Sequence, residues 1–238
     1  MKPIAILLHG GGLSAWALKP LADVLSSEYQ VVTPIIEGHG EKSNADFISI
    51  HQSAKNIVRL IANEYGGQVK LLYGLSLGAQ IVCECLALDS GITEYAIIES
   101  ALAKPNPFMA SLMSLSYKMF FGLIKNRRFS AAQSKALYIP AEMFEQYYHD
   151  SCRMSKNTLI NIGKSNMSFS PNPQISNTIA KTLIVYGSKE IKSIKLSAGL
   201  LKELIKDSEV YIAEGYNHGE FSIRYAERCG KVYMDFCN

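Results

Sequence analysis

Short apolar runs and longer amphipathic stretches alternate along most of this chain. Ile4-Ala5-Ile6-Leu7-Leu8 is an unbroken aliphatic run and reads as a buried strand. Pro20 suits the first turn of a helix reaching about Ser26. Gln30-Val31-Val32-Thr33-Pro34-Ile35 reads as a second strand, ending before Gly38. Over 46–65, Phe47, Ile50, Ala54, Ile57, Val58 and Ile61 recur at three- and four-residue steps. That period predicts an amphipathic helix, stopped by Gly66-Gly67. A strand over Val69–Tyr73, a helix over Ala79–Leu88 and a strand over Tyr95–Glu99 follow. Towards the C-terminus, strands over 182–186 and 209–213 enclose a helix over about 193–206, and a last helix runs from about 219 to 235. This alternation predicts an α/β fold with a mainly parallel central sheet and helices on both faces. Ligands of such sheets bind beyond the C-terminal strand ends.

Residues 104 to about 177 break the pattern. Lys104-Pro105-Asn106-Pro107 opens the stretch and Pro171-Asn172-Pro173 nearly closes it. Between them lie helical patterns rich in Met and aromatics. The expected organisation is therefore a core of 1–103 and 178–238 with a helical cap over 104–177. Met113, Tyr117, Phe120 and Phe144 are the candidate substrate-binding residues of that cap, because adaptable apolar side chains suit a pocket for varied groups. The same residues also fit packing within the cap, or an exposed face for a dimer or a lipid surface.

The chemistry concentrates at the predicted strand ends. Gly74-Leu75-Ser76-Leu77-Gly78 fits G-x-S-x-G, preceded by a strand and followed by a helix. In that context the serine sits in a strained turn with its hydroxyl projecting, and flanking glycines remove Cβ atoms from the bend. Leu8 leads into His9-Gly10-Gly11-Gly12, a loop whose backbone N–H groups can approach a ligand closely. Two donors are needed for a developing oxyanion. They are assigned to the N–H groups of Gly11 and Leu77, with Gly12 as a substitute for Gly11; His9 is assigned to stabilising the loop. His218 follows the strand over 209–213 and is the histidine whose position suits a general base for Ser76. Glu190 lies on the loop after the strand over 182–186 and can orient that imidazole. Glu99 is the reserve acid.

Leu8–Gly12, Glu37-Gly38-His39-Gly40, Gly74–Gly78, Tyr186–Glu190 and Asn217-His218-Gly219 occur in the order found in the α/β-hydrolase superfamily, which the chain resembles from residue 8 to 219. The stretch from His9 to Trp16 resembles small carboxylesterases that cleave methyl esters or acyl thioesters. The family usually carries aspartate where this chain has Glu190, and Glu37 reads as a structural residue of its turn. The resemblance implies an esterase with Ser76, His218 and Glu190 as the triad, no cofactor and no metal, acting on a small-molecule ester. Two alternatives stand beside it. One is an acyl-thioesterase whose carrier-bound substrate meets a basic rim of Lys118, Lys125, Arg127 and Arg128. The other is a ligand-binding protein on a hydrolase scaffold.

Composition narrows the classes further. The net charge is +3, and no block of five like charges occurs, which argues against nucleic acid as a partner. The five cysteines are odd in number and scattered, as expected of reduced thiols in a cytoplasmic protein. No run approaches the roughly 20 apolar residues of an integral membrane span. The expected assembly is a monomer or a homodimer.

Overall fold

A computed structural model of the chain describes residues 2–238. Six strands form one fully parallel sheet: β1 (Ile4–Leu8), β2 (Gln30–Val32), β3 (Val69–Leu75), β4 (Thr93–Glu99), β5 (Lys181–Gly187) and β6 (Ser208–Ala213). Their order is β2-β1-β3-β4-β5-β6. The chain therefore leaves β1 in one direction to form β2, and builds the rest of the sheet on the other side. That reversal opens a crevice between the C-terminal ends of β1 and β3. Side chains alternate across the sheet as the pleat requires. Ile6, Leu8, Leu72, Ala96 and Ile98 face one core, and Ala5, Leu7, Leu71, Tyr73 and Ile97 face the other.

Helices cover both faces. On the first lie α2 (Ile50–Glu64), α3 (Leu77–Leu88) and α8 (Lys192–Leu204). On the second lie α1 (Lys19–Leu25), α9 (Glu220–Arg224) and α10 (Ala226–Cys237). α3 is buried on every side from Leu77 to Leu86, which is why its sequence shows little amphipathic contrast. Four helices connect β4 to β5: α4 (Pro107–Phe120), α5 (Arg127–Ala136), α6 (Phe144–Arg153) and α7 (Lys156–Ser168). Three of them have side-chain caps: Asn106 accepts from the Met109 N–H, Asn126 from those of Arg128 and Phe129, and Ser155 from that of Thr158. Each such cap contributes about 1 kcal/mol.

Three boundaries differ most from the sequence expectation, each for a local reason. The helix expected from residue 46 begins at Ile50, because the Ser49 side chain accepts from the Gln52 N–H and fixes the start there. Phe47 is buried in the loop before it, its N–H donating to Thr158 and its carbonyl accepting from Asn161, both on α7. β2 stops at Val32, two residues before Pro34, whose missing N–H cannot continue a ladder. The last helix is two helices, broken at Tyr225, where φ is −120° and ψ is 45°.

All five cysteines are free thiols, four of them buried. Against the expectation that no run approaches a membrane span, the helical stretch Pro107–Lys125 is 19 residues long and apolar enough, by length and composition, to cross a membrane, and only 11% of its 18-residue apolar window is buried.

Candidate functional site

Ser76 stands between β3 and α3 with φ of 54° and ψ of −109°, a left-handed conformation that non-glycine residues rarely adopt. Its own N–H donates to the Glu99 carbonyl at 2.8 Å, which holds the bend against β4. The flanking glycines are required by contact. A Cβ on Gly78 would lie 2.2 Å from the Leu8 carbonyl oxygen, and one on Gly74 would lie 2.3 Å from the Gly78 backbone. The turn is thus tight enough that β1, β3 and the first turn of α3 touch through their backbones.

The structure brings His218 and Glu190 to this turn. Ser76 Oγ donates to His218 Nε2 at 2.9 Å, and His218 Nδ1 donates to Glu190 Oε2 at 2.7 Å. A carboxylate only accepts, so the proton belongs on Nδ1, and Nε2 is left as the acceptor facing the serine. The His218 side chain is 44% exposed, whereas that of Glu190 is fully buried. Glu190 Oε1 accepts from Ser100 Oγ at 2.7 Å and from the Gly187 N–H at 2.9 Å. Burial pushes the Glu190 carboxyl upward. The hydrogen bond and charge of His218, with the Gly187 and Ser100 donors, outweigh it and hold the group below the usual carboxylate range. The histidine loop is anchored by Glu220, whose Oε2 accepts from both the backbone and the side-chain amide of Asn217.

Glu99 is elsewhere. Its carboxyl accepts from Tyr73 Oη at 2.6 Å, Tyr233 Oη at 2.8 Å and Ser222 Oγ at 3.0 Å, and it makes no hydrogen bond to His218. Burial raises its pKa above the usual range, against the pull of these three hydroxyls. The reserve acid is therefore a structural group beneath the site.

Gly11 lies against the start of α3: a Cβ there would come within 3.6 Å of Leu77 Cβ. Leu77 is the first residue of α3, and the N–H groups of a first helical turn have no intrahelical acceptor. His9 holds the loop from below. Its Nε2 accepts from the Ile36 N–H at 3.1 Å, so its Nδ1 carries the proton and donates to the Gly10 carbonyl at 2.9 Å. Burial, with the neighbouring His39 and Lys42, brings its pKa down to about 3, which keeps the ring neutral. Glu37 accepts from Ser53 and Asn56 of α2, in keeping with a structural part in its turn.

A cavity of about 490 Å³ opens over the serine, lined by Ser76, Gln80, Met113, Met167, Ile194 and His218 among others. Of the candidate cap residues, Met113 is in its lining. Tyr117, also expected there, lines a neighbouring cavity of about 140 Å³ that includes Gly11 and Gly12. The other two candidates lie outside both cavities. Phe120 is 53% exposed at the end of α4, past the inward row of Ala110, Met113 and Tyr117. Phe144 stacks on Tyr148 beneath the Arg127 guanidinium and lies outside both cavities. Gln80 and Asn166 went unanticipated. The Gln80 amide donates to the carbonyls of Leu102 and Asn166, which fixes its orientation and leaves Oε1 buried without a donor. Asn166 Oδ1 is in the same condition. Ser100, whose hydroxyl reaches Glu190, was also missed; the available signal was a polar residue directly after the strand ending at Glu99. Among the described residues, no group of three or more His, Cys, Asp or Glu side chains is arranged to hold a metal ion.

A profile of the alpha/beta hydrolase family matches residues 5–194. No curated protein sequence matches the chain. Among solved structures, a thermophilic esterase from Thermogutta terrifontis superposes with a TM-score of 0.80 at 15% identity, covering 99% of this chain and 89% of the other. An enol-lactonase from Burkholderia xenovorans gives 0.80 at 15% identity, covering 99% and 91%. A bromoperoxidase from Bacillus anthracis gives 0.81 at 17% identity, covering 99% and 92%. At these identities the likeness is one of fold.

Proposed function

The chain belongs to the alpha/beta hydrolase family, and on that footing we propose that it is a serine hydrolase cleaving carboxylic esters with short to medium, partly apolar acyl or alcohol groups. The observation that carries this reading is the continuous relay from Ser76 Oγ through both ring nitrogens of His218 to Glu190. In the proposed reaction, Ser76 Oγ attacks the ester carbonyl while His218 Nε2 takes its proton. The N–H groups of Gly11 and Leu77 stabilise the oxyanion, and one such donor is worth about 3 kcal/mol of barrier. Collapse of the intermediate breaks the ester C–O bond, and the alcohol leaves with the proton from His218. Water then attacks the acyl-enzyme, giving its proton to His218, and the acid leaves as Ser76 regains its hydrogen. Glu190, held ionised, keeps the imidazole in the required tautomer and stabilises its cationic form.

The helices between β4 and β5 serve in this reading as a cap over 104–177, with 1–103 and 178–238 as the catalytic core. The largely apolar lining of the cavity favours an uncharged substrate. The test is hydrolysis of nitrophenyl esters from acetate to decanoate, with Ser76→Ala as the control. Turnover that vanishes with Ser76 supports the proposal; absence of turnover by the wild type on every ester would favour a binding protein on this scaffold. A thioesterase reading draws support from the exposed Lys118, Lys125 and Arg128, and acyl thioesters assayed in parallel weigh it directly.

A further inference from the structure

α4 is apolar on both sides but covered on one. Its inner row of Ala110, Met113 and Tyr117 faces α7, where the Tyr117 ring lies so close to Gly163 that a Cβ there would come within 2.9 Å. Opposite that row, Phe108, Leu112, Leu115 and Met119 follow one another at steps of four, three and four. They are 76%, 49%, 53% and 66% exposed, and Leu123, one step further along, is 41% exposed. A helix apolar all round is ordinarily enclosed all round, by protein or by lipid. A contiguous apolar row of this length on a surface marks a contact site.

Charge identifies the occupant. From Ser100 to Ala141 the chain has no acidic residue and six basic ones: Lys104, Lys118, Lys125, Arg127, Arg128 and Lys135. All six are exposed. Arg127 pairs with Glu145 and lies over the rings of Phe144 and Tyr148. The other five make no salt bridge among the described residues. The whole chain is only +3, so the rest of the molecule is net acidic and the basic charge is concentrated in the segment that carries the apolar row.

We propose that the outer face of α4 and the turn after it form a docking surface for an anionic lipid bilayer. A helix of this kind lies in the plane of the interface, its apolar row among the acyl chains and its cations among the lipid phosphates. The inner row, occupied by α7, keeps the segment in that plane and out of a spanning orientation. A second copy of the chain is disfavoured because two such faces would set like charges against each other. An acidic carrier protein would satisfy the cations but has no evident need for five large apolar side chains. Docking here also serves the site. Leu112 faces outward and the adjacent Met113 lines the cavity over Ser76, so an amphiphilic ester drawn from the bilayer has about one helix width to travel. That last clause rests on the ester-hydrolase reading; the docking does not.

The test is co-sedimentation of the full chain with phosphatidylcholine vesicles, with and without phosphatidylglycerol, alongside nitrophenyl ester turnover in solution. The wild type should bind the anionic vesicles, and added salt should weaken binding. The triple change Leu112→Ser, Leu115→Ser, Met119→Ser should lower vesicle binding about tenfold or more and leave turnover of soluble esters within about twofold of the wild type. Reversal of Lys118, Lys125 and Arg128 to Glu should lower vesicle binding comparably. Absence of vesicle binding by the wild type would overturn the proposal. So would binding that the serine triple leaves unchanged, or a concentration-dependent dimer that the serine triple dissolves. A wild type that binds vesicles yet hydrolyses no ester would count against the catalytic reading alone.

Discussion

The rim of the sheet and the outer face of α4 represent opposite degrees of constraint. At the rim, neighbours dictate residue identity. Gly78 has no room for a Cβ because the Leu8 carbonyl is there, Ser76 has φ of 54° because its N–H must reach Glu99, and the Glu190 carboxylate is held by three polar partners from three segments. On α4 the outward side chains touch little of the protein, so nothing within the fold calls for Phe108 or Met119. Strain and tight packing gather where chemistry is proposed, and unused apolar surface gathers where a partner is proposed. The contrast can be broken experimentally from either end.

The largest expected effect is at the nucleophile. Ser76→Ala should lower kcat about 10⁴-fold or more, with circular dichroism and thermal midpoint close to those of the wild type. Next comes the choice between two buried carboxyls. Glu190→Gln should lower kcat about 10³-fold or more by releasing the His218 tautomer, whereas Glu99→Gln should leave kcat within a few-fold, and a steady-state comparison of the pair separates the roles. At the backbone, Gly78→Ala should destabilise by about 3 kcal/mol in urea unfolding, since the added methyl meets a carbonyl that cannot move without disturbing β1.

Smaller, but opposite in sign, are the pH dependences of the two carboxyls. Glu190 is held below its ordinary pKa of 4.5, so its contribution to stability is present above that pH and is lost as pH falls through its folded value. His9, at about 3 against 6.5, acts in the same direction, its contribution fading as pH drops from 6.5 towards 3. Glu99 is raised above 4.5, so its contribution is complete below that pH and is lost as pH rises through its folded value. Thermal midpoints measured from pH 3 to 8 should therefore show Glu190→Gln flattening the loss of stability as pH falls below 4.5, and Glu99→Gln flattening the loss as pH rises above 4.5. The smallest effect belongs to the α4 serine triple, which should change stability in solution by no more than about 0.5 kcal/mol per site, because the removed side chains have little to lose.

The same contrast explains which features were legible in the sequence. Strand runs, the elbow glycines and the order Ser76, Glu190, His218 could be read because local rules and global packing demand the same residues there. Helix ends were less legible: Ser49 overrides an apolar period that extends to Phe47, and Phe47 is buried by α7, far along the chain. Phe120 and Phe144 misled because an apolar residue in a helical insertion carries no mark of which side will be covered. Ser100, Gln80 and Asn166 matter through contacts between segments well apart in sequence, and such contacts leave no local pattern.

The central claim is that Ser76 is an activated nucleophile, and covalent trapping tests it most directly. After incubation with a fluorophosphonate probe, intact mass should show a single adduct, peptide mapping should place it on Ser76, and nitrophenyl ester turnover should fall in step with labelling. An unlabelled Ser76 in a protein that still hydrolyses esters, or an adduct on another residue that tracks the loss of turnover, would contradict the account.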